Sequence, residues 1–275
     1  MSEYKIGFIG TGNMGSAIAR AVRKVLPGHE IILSNRTAAK AQALADELNC
    51  RCADNKTVAR DAQYIFLGVK PQFMKEMLEG IKDILAERRD RFILVSMAAG
   101  VKIETVCEMA GGEYPVIRIM PNTPVSIGEG VVPFAVSDGV FMDEITDFCN
   151  YMRCAGTVDR LEERLIDAAC AVSGCGPAFV YMFADALALA AAECGLPREK
   201  AREYALKTVI GAATLAADSD MHLSELRDAV CSPGGATIAG VHSLESAAFK
   251  GAVMDAIKTA FDKTKQLGRR QAYKY

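Results

Sequence analysis

Apolar residues come in short continuous runs through the first half of the chain and at helical spacing through the second. Tyr4–Ile9 is an apolar run ending in glycines, which predicts a buried strand, and Asn13–Leu26 then repeats its apolar positions with the period of a helix. Ile31–Ser34 predicts a second strand and Ala38–Leu48 a second helix. Tyr64–Val69, Phe92–Ser96 and Val116–Met120 predict further strands, with helices over Gln72–Glu87 and Ile103–Met109 between them. Strands apolar on both faces and alternating with helices indicate a parallel sheet covered on both sides. After about residue 160 the pattern changes: Leu161–Cys170, Ala178–Glu193, Arg198–Ala217, Leu223–Val230 and Ala247–Gln266 predict helices, with no strand run among them. A boundary near residues 158–163 is expected, giving an α/β domain over 1–160 and an all-helical domain over 161–275.

Composition narrows the picture. Of 275 residues, 51% are hydrophobic and 24% charged, a globular balance with material for a real core. A net charge of −2 argues against a nucleic-acid binder. The terminal run from Lys263 to Lys274 is basic, and a short solvated helix end accounts for it. The nine cysteines include no C-x-x-C pair and the three histidines lie far apart, so no metal site is expected. The cysteines read as core filler in a reducing cytoplasm, and the start of the chain leads directly into a strand pattern without the features of a secretory signal. Ala168–Cys194 is apolar enough to raise the question of a membrane, but Pro177 and Asp185 interrupt it, and its many alanines suit a buried, closely packed helix.

Candidate chemistry begins with Gly10-Thr11-Gly12-Asn13-Met14-Gly15. A G-x-G-x-x-G alone is a weak signal. Here it follows a strand, opens a helix and starts a βαβ unit, the context of a Rossmann-type dinucleotide site. The first glycine permits a tight turn, the second lets the backbone approach a pyrophosphate, and the third lets helix and strand pack closely. The phosphates are expected at the helix N-terminus. Where an NAD site carries an acidic residue, this chain has Ser34-Asn35-Arg36-Thr37. Nothing there repels a 2′-phosphate and Arg36 can pair with one, so NADP(H) is favoured and NAD(H) remains possible. Val69-Lys70-Pro71 and Ser96-Met97-Ala98-Ala99-Gly100 follow strands at their carboxyl ends, where open α/β sheets bind ligands; spacing alone leaves open whether either touches the cofactor.

In the helical half, Ser232-Pro233-Gly234-Gly235-Ala236-Thr237 combines an N-cap serine, a proline suited to the first helical position, two glycines and a hydroxyl. It reads either as a cradle for a small anion such as a carboxylate or as a helix start with no ligand.

With GFIGTGNMG, VKPQ, SMAAGV, RIMPNTP, SGCGPAFVY and SPGGATIAGVHSLE, the chain resembles the pyrroline-5-carboxylate reductases over nearly its full length. The resemblance implies transfer of hydride from NAD(P)H to the C=N carbon of 1-pyrroline-5-carboxylate, giving proline. It implies a doubly wound N-terminal sheet followed by a helical dimerisation domain, with a substrate site that uses both subunits; larger rings of dimers, such as a decamer, also occur. Asn55 would meet the adenine-side ribose; Val69, Lys70 and Ala99 would line the cofactor. Ser232, Ala236 and Thr237, with the Gly234–Gly235 backbone, would hold the substrate carboxylate, and Glu163 would sit near the ring nitrogen. The chain departs from the family where it reads CAVSGCGPA: Cys170 stands for a threonine and Cys175 for a serine. No catalytic residue is assigned, because a protonated imine needs orientation and field more than a strong acid. Two other readings are a β-hydroxyacid dehydrogenase and a non-catalytic NADP(H) sensor. The first is disfavoured because Ser173–Asp185 holds no lysine, the second because it gives no reason for the Ser232–Thr237 loop.

Overall fold

The computed structural model describes residues 2–272, so Lys274 and the end of the basic run lie outside the described residues. Its chain forms two compact units: 1–175 together with 260–275, and 176–259.

The first unit is an eight-stranded sheet: β1 (Tyr4–Ile9), β2 (Ile31–Ser34), β3 (Arg51–Cys52), β4 (Ala62–Leu67), β5 (Ile93–Ser96), β6 (Val116–Ile119), β7 (Gly130–Val136) and β8 (Gly156–Arg160). The strand order is β3-β2-β1-β4-β5-β6-β7-β8, parallel throughout except between β6 and β7. Ile6 pairs with Ile31 on one side and with Tyr64 on the other, so the order reverses between β1 and β4. Ligands of open α/β sheets bind at such a reversal.

The pleat sorts side chains between two cores. Ile6, Phe8, Tyr64 and Phe66 face α1 (Asn13–Arg23), α2 (Ala38–Leu48) and α7 (Met142–Met152). Ile9, Ile32, Ile65 and Leu67 face α3 (Asn55–Asp61), α4 (Met74–Glu79), α5 (Lys82–Glu87) and α6 (Ile103–Ala110). Each such side chain removed from water contributes about 1.5–3 kcal/mol. The hydroxyl of the buried Tyr64 donates to the Glu144 carbonyl at 2.9 Å, so its polar end is not stranded. A third, smaller cluster joins Met120 and Ala135 to Ile166 and Cys170, and so seats α8 (Glu163–Ala169) and the π-turn Cys170–Gly174 on the sheet. That packing carries the first unit past the boundary read near 158–163, where β8 ends.

Two sequence expectations change. The helix expected over Gln72–Glu87 is a 3-10 turn followed by α4 and α5, broken at Gly80 and Ile81. Residues 121–160, to which the apolar pattern assigns no element, supply β7, α7 and β8.

The second unit is helical, with α9 (Gly176–Glu193), α10 (Arg198–Ala217), α11 (Leu223–Ala229), α12 (Ala236–Ser246) and the start of α13 (Phe249–Ala272). α9 and α10 pack on one another across a short turn at Gly195. The burial expected for Ala168–Cys194 holds at Cys170 and Ala171 but not along α9 within one chain. Of α9 only Ala184 is buried, while Tyr181, Met182, Phe183 and Leu189 are exposed. α9 thus presents an apolar face that the rest of the chain does not cover.

Candidate cofactor and substrate sites

A cleft of about 840 Å³ opens where the strand order reverses. Its floor is made by glycines that no other residue could replace in this packing. Gly10 turns at φ +101, and a Cβ there would lie 2.6 Å from the Gly68 carbonyl oxygen. A Cβ on Gly15 or on Gly68 would meet the Gly10 carbonyl oxygen at 2.2 Å. Gly12, by contrast, faces open space, so a ligand can approach its backbone. It is also the N-cap of α1 and provides no side-chain cap, leaving the first-turn N–H groups to a ligand. The Thr11 hydroxyl is buried with no hydrogen-bond partner. A diphosphate resting on this loop supplies the acceptors that these donors lack, and the positive end of the helix dipole favours its charge.

The adenosine end of the cleft is fixed by short polar links. Asn35 Oδ1 accepts the Thr11 N–H at 3.3 Å and its amide donates to the Thr37 carbonyl at 3.3 Å, tying the glycine loop to the turn after β2. Ser34 is buried; its hydroxyl lies 3.2 Å from the Phe8 carbonyl oxygen and 2.7 Å from Asn55 Oδ1, so it orients Asn55. Asp54 caps α3 by accepting the Thr57 N–H at 2.7 Å, which holds its carboxyl below the ordinary range. Arg36 lies over the Phe73 ring at 5.0 Å. Arg36, Lys40, Lys56 and Lys70 all line the cleft and make no ion pair among the described residues. Four cations around one cleft match a dinucleotide with an additional phosphate.

Of the cofactor residues expected from sequence, Gly10, Thr11, Gly12, Asn13, Asn35, Arg36, Asn55, Val69 and Lys70 line this cleft. Gly15 lies beneath the loop, Met14 packs on the core, and Ser34 acts through Asn55. Ala99 lies elsewhere in the first unit, against the cluster that seats α8. Sequence reading missed Lys40, Lys56 and Phe73. Lys40 could have been found from its place in the first turn of α2, directly after the Ser34–Thr37 segment; Lys56 and Phe73 needed the fold.

The Ser232–Thr237 segment differs from its expected form. The helix begins at Ala236 with Gly235 as its N-cap, so Ser232 is not the cap and Pro233 is not the first helical residue. Instead the Gly235 N–H donates to the Ser232 carbonyl at 3.0 Å, with Gly234 at φ +69. Proline second and glycine third are the residues of a type II turn. One of the two glycine N–H groups is therefore spent within the turn. The N–H groups of Ala236 and Thr237, in the first turn of α12, have no partner within the helix. The Ser232 and Thr237 hydroxyls are exposed and unpartnered among the described residues. Glu163, expected beside the substrate, belongs to the first unit, where its carboxylate bonds Arg118 and the Ile103 N–H.

Cys170 is buried and its thiol is pushed up to about 11, first by desolvation, so it holds its proton at neutral pH.

Residues 163–267 match the family described as pyrroline-5-carboxylate reductase dimerisation, and residues 5–100 match coenzyme F420-dependent NADP oxidoreductases. The chain is 37% identical over 271 residues to the pyrroline-5-carboxylate reductase of Escherichia coli (strain K12), covering 97% of this chain and 99% of that one. It is 34% identical over 267 residues to the Pisum sativum enzyme of the same name, covering 96% of each. Among solved structures it is similar to Plasmodium falciparum pyrroline carboxylate reductase with NADP bound, at TM-score 0.87 and 31% identity, covering 98% of this chain and 99% of that one.

Proposed function

The chain belongs to the pyrroline-5-carboxylate reductase family, and from that membership and the cleft at the sheet's reversal we infer how its residues carry out the reaction. It is an oxidoreductase that reduces 1-pyrroline-5-carboxylate to L-proline with NADP(H), and NAD(H) is compatible with the site. The observation that carries the reading is the cleft itself: an uncapped glycine loop, a Thr11 hydroxyl with no partner among the described residues, and Arg36, Lys40, Lys56 and Lys70 in its lining.

Bound NADPH supplies the hydride for the C=N carbon. The chain's own residues bind and orient. Gly10–Gly15 receive the diphosphate on the first turn of α1. Asn55, aimed by Ser34, holds the adenine-side ribose. Asn35, Arg36 and Lys40 take the additional phosphate. Val69, Lys70 and Ala99 flank the remainder of the cofactor. Ser232, Gly234, Gly235, Ala236 and Thr237 form the substrate's carboxylate site: the turn presents the Ala236 and Thr237 N–H groups together with two hydroxyls. Orientation and charge matching lower the barrier without a dedicated acid. The imine nitrogen takes its proton from solvent, and no side chain is assigned as the donor.

Residues 1–160 act as the cofactor domain and 161–275 as the substrate and dimerisation domain. The exposed apolar face of α9 supports a homodimer, with a larger ring such as a decamer as a further level of assembly. The nine free thiols fit a cytoplasmic protein. A net charge of −2 favours no nucleic-acid partner, and the apolar face of α9 is assigned to a subunit contact in place of a membrane.

One assay tests the reading: NADPH and 1-pyrroline-5-carboxylate are mixed with the protein and loss of reduced nicotinamide absorbance is followed. Turnover that yields proline is expected. Oxidation of β-hydroxyacids instead, or NADPH binding without turnover of the imine, overturns it.

A further inference from the structure

Glu163 opens α8, and one oxygen of its carboxylate is committed within the folded chain. Oε1 accepts the backbone N–H of Ile103 at 2.8 Å and a second hydrogen bond from Arg118 Nη1 at 3.2 Å. Ile103 is the first residue of α6, where backbone N–H groups have no partner inside the helix. Lys102, in the capping position, makes no side-chain cap. Glu163 therefore supplies from a distant part of the chain the cap that the local sequence lacks, and its charge suits the positive ends of both α6 and α8.

Arg118 holds this carboxylate in place. Its side chain is 2% exposed, and its second arm reaches Asp167 Oδ1 at 2.6 Å, one helical turn along α8. A buried guanidinium is costly unless paired, and its planar fork allows little freedom to the groups it pairs with.

What the arrangement holds is the segment Met97–Lys102, between β5 and α6. At one end the Ala98 N–H lies 3.5 Å from Ser96 Oγ, and a turn closes from Val101 N–H to the Ala98 carbonyl at 3.3 Å, with Gly100 at φ +74. In the middle, Ala99 packs on the cluster of Met120, Ala135, Ile166 and Cys170, which α8 itself helps to form. At the other end stands the Ile103 N–H on Glu163. The segment leaves the sheet at the carboxyl end of β5, the edge where α/β sheets bind ligands.

We propose that Glu163 is a positioning residue for the cofactor: from α8, braced by Arg118, it caps α6 and so fixes the Met97–Lys102 segment that carries Ala99. The proposal rests on the reading that Ala99 lines the cofactor. Oε1 is shared by Ile103 and Arg118, and this capping role is distinct from the contact to the ring nitrogen that the family resemblance implies.

Two conservative variants separate the roles. Glu163→Gln loses the charge but keeps an oxygen that can accept from Ile103. Glu163→Asp keeps the charge but draws it back from that N–H; Glu163→Ala replaces it if the Asp variant does not fold. NADPH affinity is measured by calorimetry on the full chain, amide hydrogen exchange over residues 97–106 by mass spectrometry, and KM for both reactants by steady-state assay. Glu163→Asp is expected to weaken NADPH about 5-fold, the scale of one lost helix cap, and to speed exchange in the segment. Glu163→Gln stays within about twofold of the parent for NADPH, and the KM for the imine is unchanged in both. A Gln variant that weakens the imine while leaving NADPH binding intact overturns the proposal in favour of substrate contact. Ala99→Phe controls the underlying reading. If it weakens NADPH while Glu163→Asp does not, the proposal alone fails; if it leaves NADPH affinity untouched, the reading of the segment fails and the proposal with it.

Discussion

Thr237 stands second in α12, beside an N–H that the helix cannot use. Replacing it with valine keeps the shape and removes the hydroxyl. A hydrogen bond to a charged group is worth ~1.5–3 kcal/mol, so Thr237→Val should raise the KM for 1-pyrroline-5-carboxylate roughly 10- to 150-fold. The turnover number should stay nearly constant and the KM for NADPH should not move, because the bond serves ground and transition states alike. A ring imine without the carboxylate should be a poor substrate and insensitive to the change. Steady-state kinetics on both imines decides it: equal damage to both means that the loop serves packing. At the cofactor end, Asn35→Asp changes two things at once. The oxygen that replaces its amide group faces the Thr37 carbonyl, which that amide now bonds, and a negative charge appears beside Arg36. The ratio of kcat/KM for NADPH to that for NADH should fall about tenfold or more, from like-charge repulsion with the additional phosphate. An unchanged ratio would place that phosphate away from Asn35. At this scale the sequence is most legible where backbone conformation demands a residue, as at Gly10, and least where a side chain works through another. Ser34 holds Asn55 and Glu163 meets Ile103 over separations that no local pattern records.

At the scale of elements, the buried parallel strands were legible because both faces are apolar: β1, β2, β5 and β6 fall within runs read directly from the chain, and β4 shares Tyr64–Leu67 with one. The misses have physical causes. β7 carries Pro133, which cannot donate to a ladder, and β8 is half exposed at the sheet's edge, so neither shows a clean run. β3 has two residues and no period at all. Other links between elements are invisible to periodicity. Arg88, in the connection after α5, sends Nη1 to the Ala59 and Ala62 carbonyls, both at 2.7 Å, and so closes the C-terminal end of α3. Its other donors hold Asp90 and Ser2. Arg88→Lys offers a point charge in place of the fork and leaves at least one carbonyl unpaired. It should cost about 2 kcal/mol, lowering Tm by roughly 4–8 °C in thermal melts at neutral pH. The Arg88 hydrogen bond is also the chief reason that the Asp90 carboxyl lies well below its usual range. A depressed folded value means that the pair's contribution is fully present above the unfolded carboxylate value of about 3.9 and is lost as pH falls through the folded one. Tm should therefore drop on acidification below about pH 4, and Asp90→Asn should flatten that part of the profile.

For the whole molecule, the feature that periodicity misjudged is the most informative. The run Glu163–Glu193 is long and apolar enough to cross a membrane, and almost none of its most apolar stretch is buried within the chain. Sequence alone reads such a helix as core, because composition cannot say whether the covering atoms belong to the same chain. Residues 163–267 match a dimerisation family, which implies an oligomer, and the exposed face of α9 is where we propose that another subunit packs. Leu189, exposed on α9 beside the small residues Ala188 and Ala192, tests that conclusion. Leu189→Glu would put a carboxylate into an apolar interface, at a cost of several kcal/mol unless Arg198 or Arg202, which line the same groove, reaches it. In sedimentation or light scattering, the parent chain of 29.5 kDa should run as a multiple of that mass without detergent, and the variant should fall towards the single-chain mass. Circular dichroism should show its helices intact, since the substituted side chain leaves little of the core within one chain. Because the proposed substrate residues Ser232–Thr237 lie in the same helical domain, activity should fall with assembly and recover in part as protein concentration is raised. A monomeric variant with full activity at low concentration would mean that each chain holds a complete site. A parent protein that requires detergent to stay in solution would mean that the apolar face meets lipid.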